Sequence, residues 1–412
     1  MEQRGMSRRE WLKRAGKMGL GALALSTSPL TGTACKGGNT EVSGEISGPV
    51  PKRFFGKTGV QVSCLGLGGT FNTMANVLLL NVAIKYGITY WDTAYSYQGG
   101  NSEKGIGKFF ATYPDVRDEI FLVSKTERRN PDRMTQELNT SLDRMQTRYI
   151  DMYMLHGLSD FREITPEILR WVENQKNRGR IKWFGFSTHK NMETCMTAAA
   201  RSGWIDGIMM SYNFRLMGSE AMRSAVEACS EAGIGLTAMK TQGRGLIAAE
   251  YGYASKEKEL SDKFKGEGLT QEQGKLMAVW TDPRIATICS RMPNTEILQD
   301  NVAAALHQNR LTENHKISLQ TYAVKTTGSY CAGCGRFCES TLEEYVPVAD
   351  VMRCLMYFHG YGDYVTAKAV YDDVRRRSGC PLANKDFSGA EQVCPQGLTI
   401  GALIKEAESV FS

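Results

Sequence analysis

From residue 53 onward the chain alternates between two kinds of segment. Short runs that are almost wholly apolar recur at 63–68 (SCLGLG), 89–94 (TYWDTA), 120–125 (IFLVSK) and 151–157 (DMYMLHG). They continue at 181–187 (IKWFGFS), 207–213 (GIMMSYN), 233–240 (GIGLTAMK) and 285–291 (IATICSR). Runs this short, apolar at successive positions, suit strands covered on both faces. Amphipathic stretches lie between them. Two of these, 131–147 and 166–178, open with Asn130-Pro131 and Thr165-Pro166, a capping residue followed by proline at the first helical position. Strand and helix alternating eight times predict an α/β chain folded as a parallel (β/α)8 barrel over 52–325. The competing arrangement is an open doubly wound sheet. That fold usually carries GxGxxG after its first strand, whereas GLGGT (66–70) lacks the spacing and does not lead directly into a helix.

The pattern changes at both ends. Residues 326–412 are rich in cysteine, with helical stretches at 346–357 and 363–377, and are expected to form a small, mainly helical module. At the other end, Ser7-Arg8-Arg9-Glu10-Trp11-Leu12-Lys13 resembles a twin-arginine export motif, with Trp11 where phenylalanine is usual. A weakly apolar stretch at 18–30 and the small residues at 31–35 complete a signal-peptide layout over 1–35. Cys35 is a candidate lipid anchor, although Gly32 stands where a lipobox carries an aliphatic residue. Residues 36–51 read as a flexible linker. The expected destination is the periplasm or the outer face of a membrane, reached with the protein already folded.

Composition narrows the function classes. The 412 residues carry a net charge of +6, mild for the length, with basic residues scattered and no basic run alternating with aromatics; this argues against nucleic-acid binding. No run reaches the roughly 18 apolar residues that a spanning helix needs. Eleven cysteines exceed what a barrel requires, and seven of them lie at the two ends.

The ionisable residues that stand out sit where strands end. Asp92 closes the second run, Lys125 the third and His156 the fourth, and Tyr97 follows in the loop after the second. A barrel builds its chemistry at this rim, because strand ends converge there. Tyrosine ordinarily titrates near 10, too high for easy proton exchange. An ammonium at Lys125 is expected to favour phenolate and lower that value. Asp92 would hold Lys125 in place, and His156 would donate to a substrate oxygen. Tyr97 would then act as general acid or base on a carbonyl or alcohol. None of these groups carries a hydride, so a nicotinamide cofactor is required.

The segments RFFGKTGVQVSCLGLGGTF, WDTAYSYQGGNSEKGIGK, LVSKT and YMLHG resemble the aldo/keto reductase family over 52–308. The resemblance implies that Asp92, Tyr97, Lys125 and His156 are its catalytic tetrad and that Glu103 is a structural rim residue. It implies cofactor contacts at Ser187, Tyr212, Arg291, Asp300 and Asn301. Three positions depart from the pattern: Thr188 and Met209 replace an asparagine and a glutamine that hold the nicotinamide amide, and Ile297 replaces an arginine that grips a 2′-phosphate. NADP and NAD therefore both stay open.

Cys331, Cys334 and Cys338 lie in CAGCGRFC, and Cys394 opens CPQGLTI, which resembles the closing turn of bacterial ferredoxin motifs. Four thiolates of this kind suit a 4Fe–4S cluster, with Cys380 the rival fourth ligand. Zinc and disulfides are the other readings of the same thiols. Cys64, Cys195, Cys229, Cys289 and Cys354 read as core residues. A cluster would serve as a structural clamp or as an outlet to a one-electron carrier. Two functions follow: an oxidoreductase acting on a small carbonyl or alcohol, or a non-catalytic electron-transfer or binding subunit that keeps barrel and cluster.

Overall fold

The computed structural model describes residues 48–247, 253–378 and 382–412. The SRREWLK motif, Cys35 and Cys380 lie outside the described residues. A hairpin, β1 (Lys52–Phe54) and β2 (Gln61–Ser63), precedes eight parallel strands. These are β3 (Leu65–Gly68), β4 (Tyr90–Asp92), β5 (Phe121–Thr126), β6 (Ile150–Leu155), β7 (Ile181–Thr188), β8 (Gly207–Ser211), β9 (Gly235–Met239) and β10 (Ile285–Arg291). They close into a barrel in chain order, with Ile288 of β10 beside Leu65 of β3. Every apolar run of the sequence became one strand. The two proline-initiated helices run Pro131–Met145 and Pro166–Asn177, capped by the side chains of Asn130 and Thr165.

Alternation along each strand divides the core into two layers. Tyr90, Phe121, Val123, Met152, Met154 and Met209 point into the barrel. Their neighbours Trp91, Leu122, Tyr153, Leu155, Ile208 and Met210 point outward, beneath the helices. The hairpin supplies the plug: Phe55 is fully buried and packs 5.1 Å from the Phe121 ring and 6.0 Å from that of Tyr90. Two glycines permit approaches that no side chain would. A Cβ on Gly56, whose φ is +53°, would lie 2.3 Å from Gly233 O; one on Gly185 would lie 1.8 Å from Gly207 O.

Residues beyond 325 have an apolar core of their own, built from Val346, Val351, Met352, Leu355, Tyr371, Leu403, Ile404, Phe411 and their neighbours. Helices Val348–Leu355 and Tyr364–Ser378 match the helical stretches expected from the sequence, and a π-helical turn, Met356–Gly360, extends the first. A further helix, Ile400–Phe411, follows the CPQGLT segment. These helices sit on the rim where strands end. Lys190, after β7, pairs with Glu339 at 3.0 Å; Arg291, at the end of β10, pairs with Asp363 at 3.2 Å; Asn213 donates to the Tyr330 hydroxyl at 3.0 Å. Among the described residues no helix is long and apolar enough to cross a membrane.

Candidate active site

Strand alternation decides what faces the barrel mouth. Asp92 is two residues beyond the inward Tyr90, Lys125 two beyond Val123, and His156 two beyond Met154. All three therefore project inward at the top of adjacent strands. The Lys125 ammonium donates to an Asp92 carboxylate oxygen and to the Thr93 carbonyl at 2.9 Å; the two charged side chains are 0% and 2% exposed. Tyr97 arrives on a turn whose next three residues, Gln98, Gly99 and Gly100, all have positive φ. Arg144 braces this turn. It donates to the Tyr95 carbonyl at 2.9 Å, pairs with the buried Glu103 at 3.0 Å and packs against Gly100, where a Cβ would meet its guanidinium. Glu103 also accepts from Ser124 at 2.8 Å, which is the structural role expected of it.

The four side chains thus meet at the barrel mouth. The Lys125 ammonium lies 4.9 Å from the centre of the Tyr97 ring, and the rings of Tyr97 and His156 stand edge to face with centroids 5.6 Å apart. The proton affinities differ from the sequence expectation. The Tyr97 phenol is raised well above its ordinary value, first by burial and then by the charge of Asp92. The Lys125 ammonium, paired with Asp92 and the Thr93 carbonyl, does not offset that rise. Tyr97 is therefore a neutral phenol, a proton donor. Burial also lowers His156, so the imidazole is neutral, with partial opposition from Glu127, whose carboxylate lies 3.5 Å from Nδ1. That interaction, assisted by Ser96 at 2.9 Å, holds Glu127 down to about 2. Glu127 and Arg144 were not singled out in the sequence, since each looks like an ordinary surface charge.

Cys289 departs from its assignment as a core residue. It lies at the mouth beside Asp92, where burial and that carboxylate push its thiol well up. Cys64, Cys195, Cys229 and Cys354 are buried as expected.

The residues assigned to the cofactor separate. Ser187 faces inward and its hydroxyl accepts from the Gly157 amide at 3.1 Å, next to His156. Arg291 is exposed at the end of β10, just ahead of helix Thr295–Leu306, whose N-terminus is capped by Asn294. A guanidinium beside the positive end of a helix suits the phosphates of a dinucleotide. Asp300 is exposed on that helix, while Asn301 donates to Ser290 at 3.0 Å and positions the segment. Tyr212 is a correction. It follows the inward Ser211, so it points outward; it is 1% exposed and its hydroxyl donates to Asp282 at 2.7 Å. A ring so enclosed has no face to offer a nicotinamide.

Burial raises the thiols of Cys331, Cys334 and Cys338, and the charge of Cys394 raises each of them further, so all four share one corner of the C-terminal unit. Among the described residues no group of three or more His, Cys, Asp or Glu is arranged to hold a metal ion.

Comparison with known proteins places the barrel. The model of the aldo/keto reductase family matches residues 64–325. The chain is 26% identical over 304 residues to the uncharacterized oxidoreductase YqkF of Bacillus subtilis, covering 66% of this chain and 96% of that one. It is 26% identical over 247 residues to versiconal hemiacetal acetate reductase of Aspergillus parasiticus, covering 50% and 71%. Among solved structures, the holo form of aldo-keto reductase AKR11C1 from Bacillus halodurans superposes with a TM-score of 0.55 at 23% identity, covering 66% of this chain and 96% of that one. The matched region spans β3 to β10 and holds all four residues gathered at the mouth, so the chain belongs to the aldo/keto reductase family.

Proposed function

We propose that this NAD(P)-dependent oxidoreductase interconverts a carbonyl and an alcohol, with Tyr97 as general acid in reduction. The observation that carries the proposal is the pairing of a neutral, raised phenol at Tyr97 with a neutral imidazole at His156, both facing the barrel mouth. A bound nicotinamide supplies the hydride to the carbonyl carbon. Tyr97 delivers its proton to the carbonyl oxygen as charge develops there, and His156 hydrogen-bonds the same oxygen. Lys125, held by Asp92, stabilises the tyrosinate left behind, and solvent restores the proton. In the oxidation direction the same proton moves from the alcohol to Tyr97. Arg291 and the N-terminus of helix Thr295–Leu306 are proposed to hold the phosphates, and Ser187 to bind the nicotinamide amide. A positioned acid contributes about 10² to 10⁴ in rate. Tyr97→Phe should lose that factor in turnover of a carbonyl panel with NADPH or NADH while keeping its circular dichroism; retained turnover would end the assignment.

Two further proposals rest on sequence motifs. Cys331, Cys334, Cys338 and Cys394 hold a 4Fe–4S cluster after side-chain rearrangement; their spacing and shared location support this. Iron and acid-labile sulfide near four atoms each per chain are the expected assay result, and metal-free protein with normal folding would refute it. SRREWLK directs export of the folded protein. Fusing 1–51 to a reporter that is active only after folded export tests this, and Arg8→Lys/Arg9→Lys should abolish secretion.

A further inference from the structure

We propose that Glu127 is a positioning residue of the active site: it keeps the hydrogen of neutral His156 on Nδ1, so that Nε2 meets the substrate oxygen as a hydrogen-bond acceptor and recognises the alcohol rather than the carbonyl. This rests on the reading above that the substrate oxygen sits beside Tyr97 and His156.

Strand register brings the two side chains together. In the ladder between β5 and β6, Lys125 lies opposite Met154 and Thr126 opposite Leu155. One step further puts Glu127 opposite His156, whose amide donates to the Thr126 carbonyl at 2.8 Å. Alternation then sets direction. Met154 and Lys125 face the barrel, whereas Thr126 faces out and donates to Glu137 of the covering helix at 2.6 Å. Glu127 and His156 turn back over the mouth, with the carboxylate 3.5 Å from Nδ1. Directly opposed residues are the pairs that interact across a sheet. The arginines next to Glu127 in the chain are engaged elsewhere, Arg128 with Glu137 and Arg129 with Glu163, each at 2.8 Å. Ser96, the residue before Tyr97, donates to the same Glu127 carboxylate at 2.9 Å. One carboxylate therefore anchors both the imidazole and the turn that carries the phenol.

This contact decides which ring nitrogen holds the hydrogen. His156 Nδ1 is buried and, among the described residues, has no hydrogen-bond partner at full bonding distance. A hydrogen on Nε2 would leave the Nδ1 lone pair facing an anionic oxygen, with neither able to donate. A hydrogen on Nδ1 points instead at a charged acceptor, and a closure of about 0.5 Å completes the bond. Catalytic contacts are often this loose before substrate binds. Glu127 behaves as that acceptor, since its bond with the imidazole is the first cause of its low proton affinity. A neutral imidazole has one donor and one acceptor, so Nε2 keeps the lone pair. A carbonyl oxygen has no hydrogen to offer it; an alcohol has. The donor role that the sequence suggested for His156 is thereby reversed in the neutral ring, and donation to a carbonyl is left to Tyr97.

The experiment uses the full chain with isotopically labelled histidine, the His156 signals being identified by their loss in His156→Gln. Heteronuclear NMR near neutral pH should show Nδ1 carrying the hydrogen and Nε2 bare. Glu127→Leu should move the population toward Nε2–H, and Glu127→Asp should restore Nδ1–H. Two complexes that cannot turn over read the acceptor role. Isopropanol added with NADH should move the Nε2 signal, and acetone added with NAD should not. Isopropanol affinity should fall about three- to tenfold in Glu127→Leu, with that of acetone unchanged. An Nε2–H tautomer in the unmodified chain, a population unmoved by Glu127→Leu, or equal responses to the two probes would overturn the proposal. Turnover retained in Tyr97→Phe would sink the function proposed above and leave the Nδ1–H tautomer standing.

Discussion

Replacing Lys125 with methionine isolates the energetics on which the barrel mouth depends. The Lys125 and Asp92 side chains are 0% and 2% exposed, so neither charge has water to fall back on. Methionine keeps the apolar stem of the lysine but removes the ammonium. Asp92 is then a buried carboxylate without its counter-charge, a change that costs about 3–5 kcal/mol. At about 2–4 °C of Tm per kcal/mol for a unit of barrel size, the loss is roughly 6–20 °C. Converting Asp92 to asparagine as well removes the stranded charge, so Asp92→Asn/Lys125→Met should lie well above the sum of the two single variants. Residues in contact couple by about 0.5–3 kcal/mol, and this pair belongs at the upper end. Equilibrium urea unfolding followed by far-ultraviolet circular dichroism, with slopes compared before midpoints, measures all four proteins. A loss below about 1 kcal/mol in Lys125→Met, or strict additivity in the double variant, would show that the pair is solvated and that Lys125 is not the fixed charge described here.

Other expectations follow from the same structure. Glu127 is held at about 2, below its ordinary 4.5, so its pairing stabilises the fold above about pH 4.5 and is lost as pH falls toward 2; Glu127→Gln should flatten acid unfolding over that window. Since Glu127 opposes the depression of His156, the same substitution should move the His156 titration further down, as read by NMR of the imidazole. Gly185→Ala places a Cβ against the Gly207 carbonyl oxygen of the adjacent strand, which cannot retreat without opening the β7–β8 ladder. The cost should reach or exceed the usual 1–3 kcal/mol of overpacking, seen as lost soluble yield or a lowered Tm. Lys190→Met strands Glu339 and part of the Asp350 charge at the junction of barrel and C-terminal helices. Limited proteolysis should then release a fragment ending near residue 325 faster than from the unmodified chain.

The barrel was legible because strands buried on both faces must be apolar throughout, and runs that short cannot be ordinary helices. The meeting of polar side chains at the mouth was legible for a related reason: Asp92, Lys125 and His156 each interrupt an otherwise apolar run at its end. Tyr212 shows what was passed over. Counting alternation from the inward Met209 already turns it outward, whereas its aromatic character alone suggested a cofactor contact. Cys289 is the converse, since a cysteine in an apolar strand looks like packing until its inward direction is known. The phenol's proton affinity was not legible at all. It depends first on how deeply the ring is buried and then on its distance from the Asp92 charge, and both are set by separate strands and loops.

The most direct test follows a labelled hydride. NADPH or NADH carrying deuterium at the transferable position is incubated with purified protein and a carbonyl substrate, and the product is examined by mass spectrometry and NMR. One deuterium on the former carbonyl carbon, with the hydroxyl proton drawn from solvent and the reaction slowed about 10² to 10⁴ in Tyr97→Phe, is the result expected. Deuterium absent from the product carbon, or transferred at an unchanged rate without the Tyr97 hydroxyl, would contradict the assignment of proton transfer to this phenol.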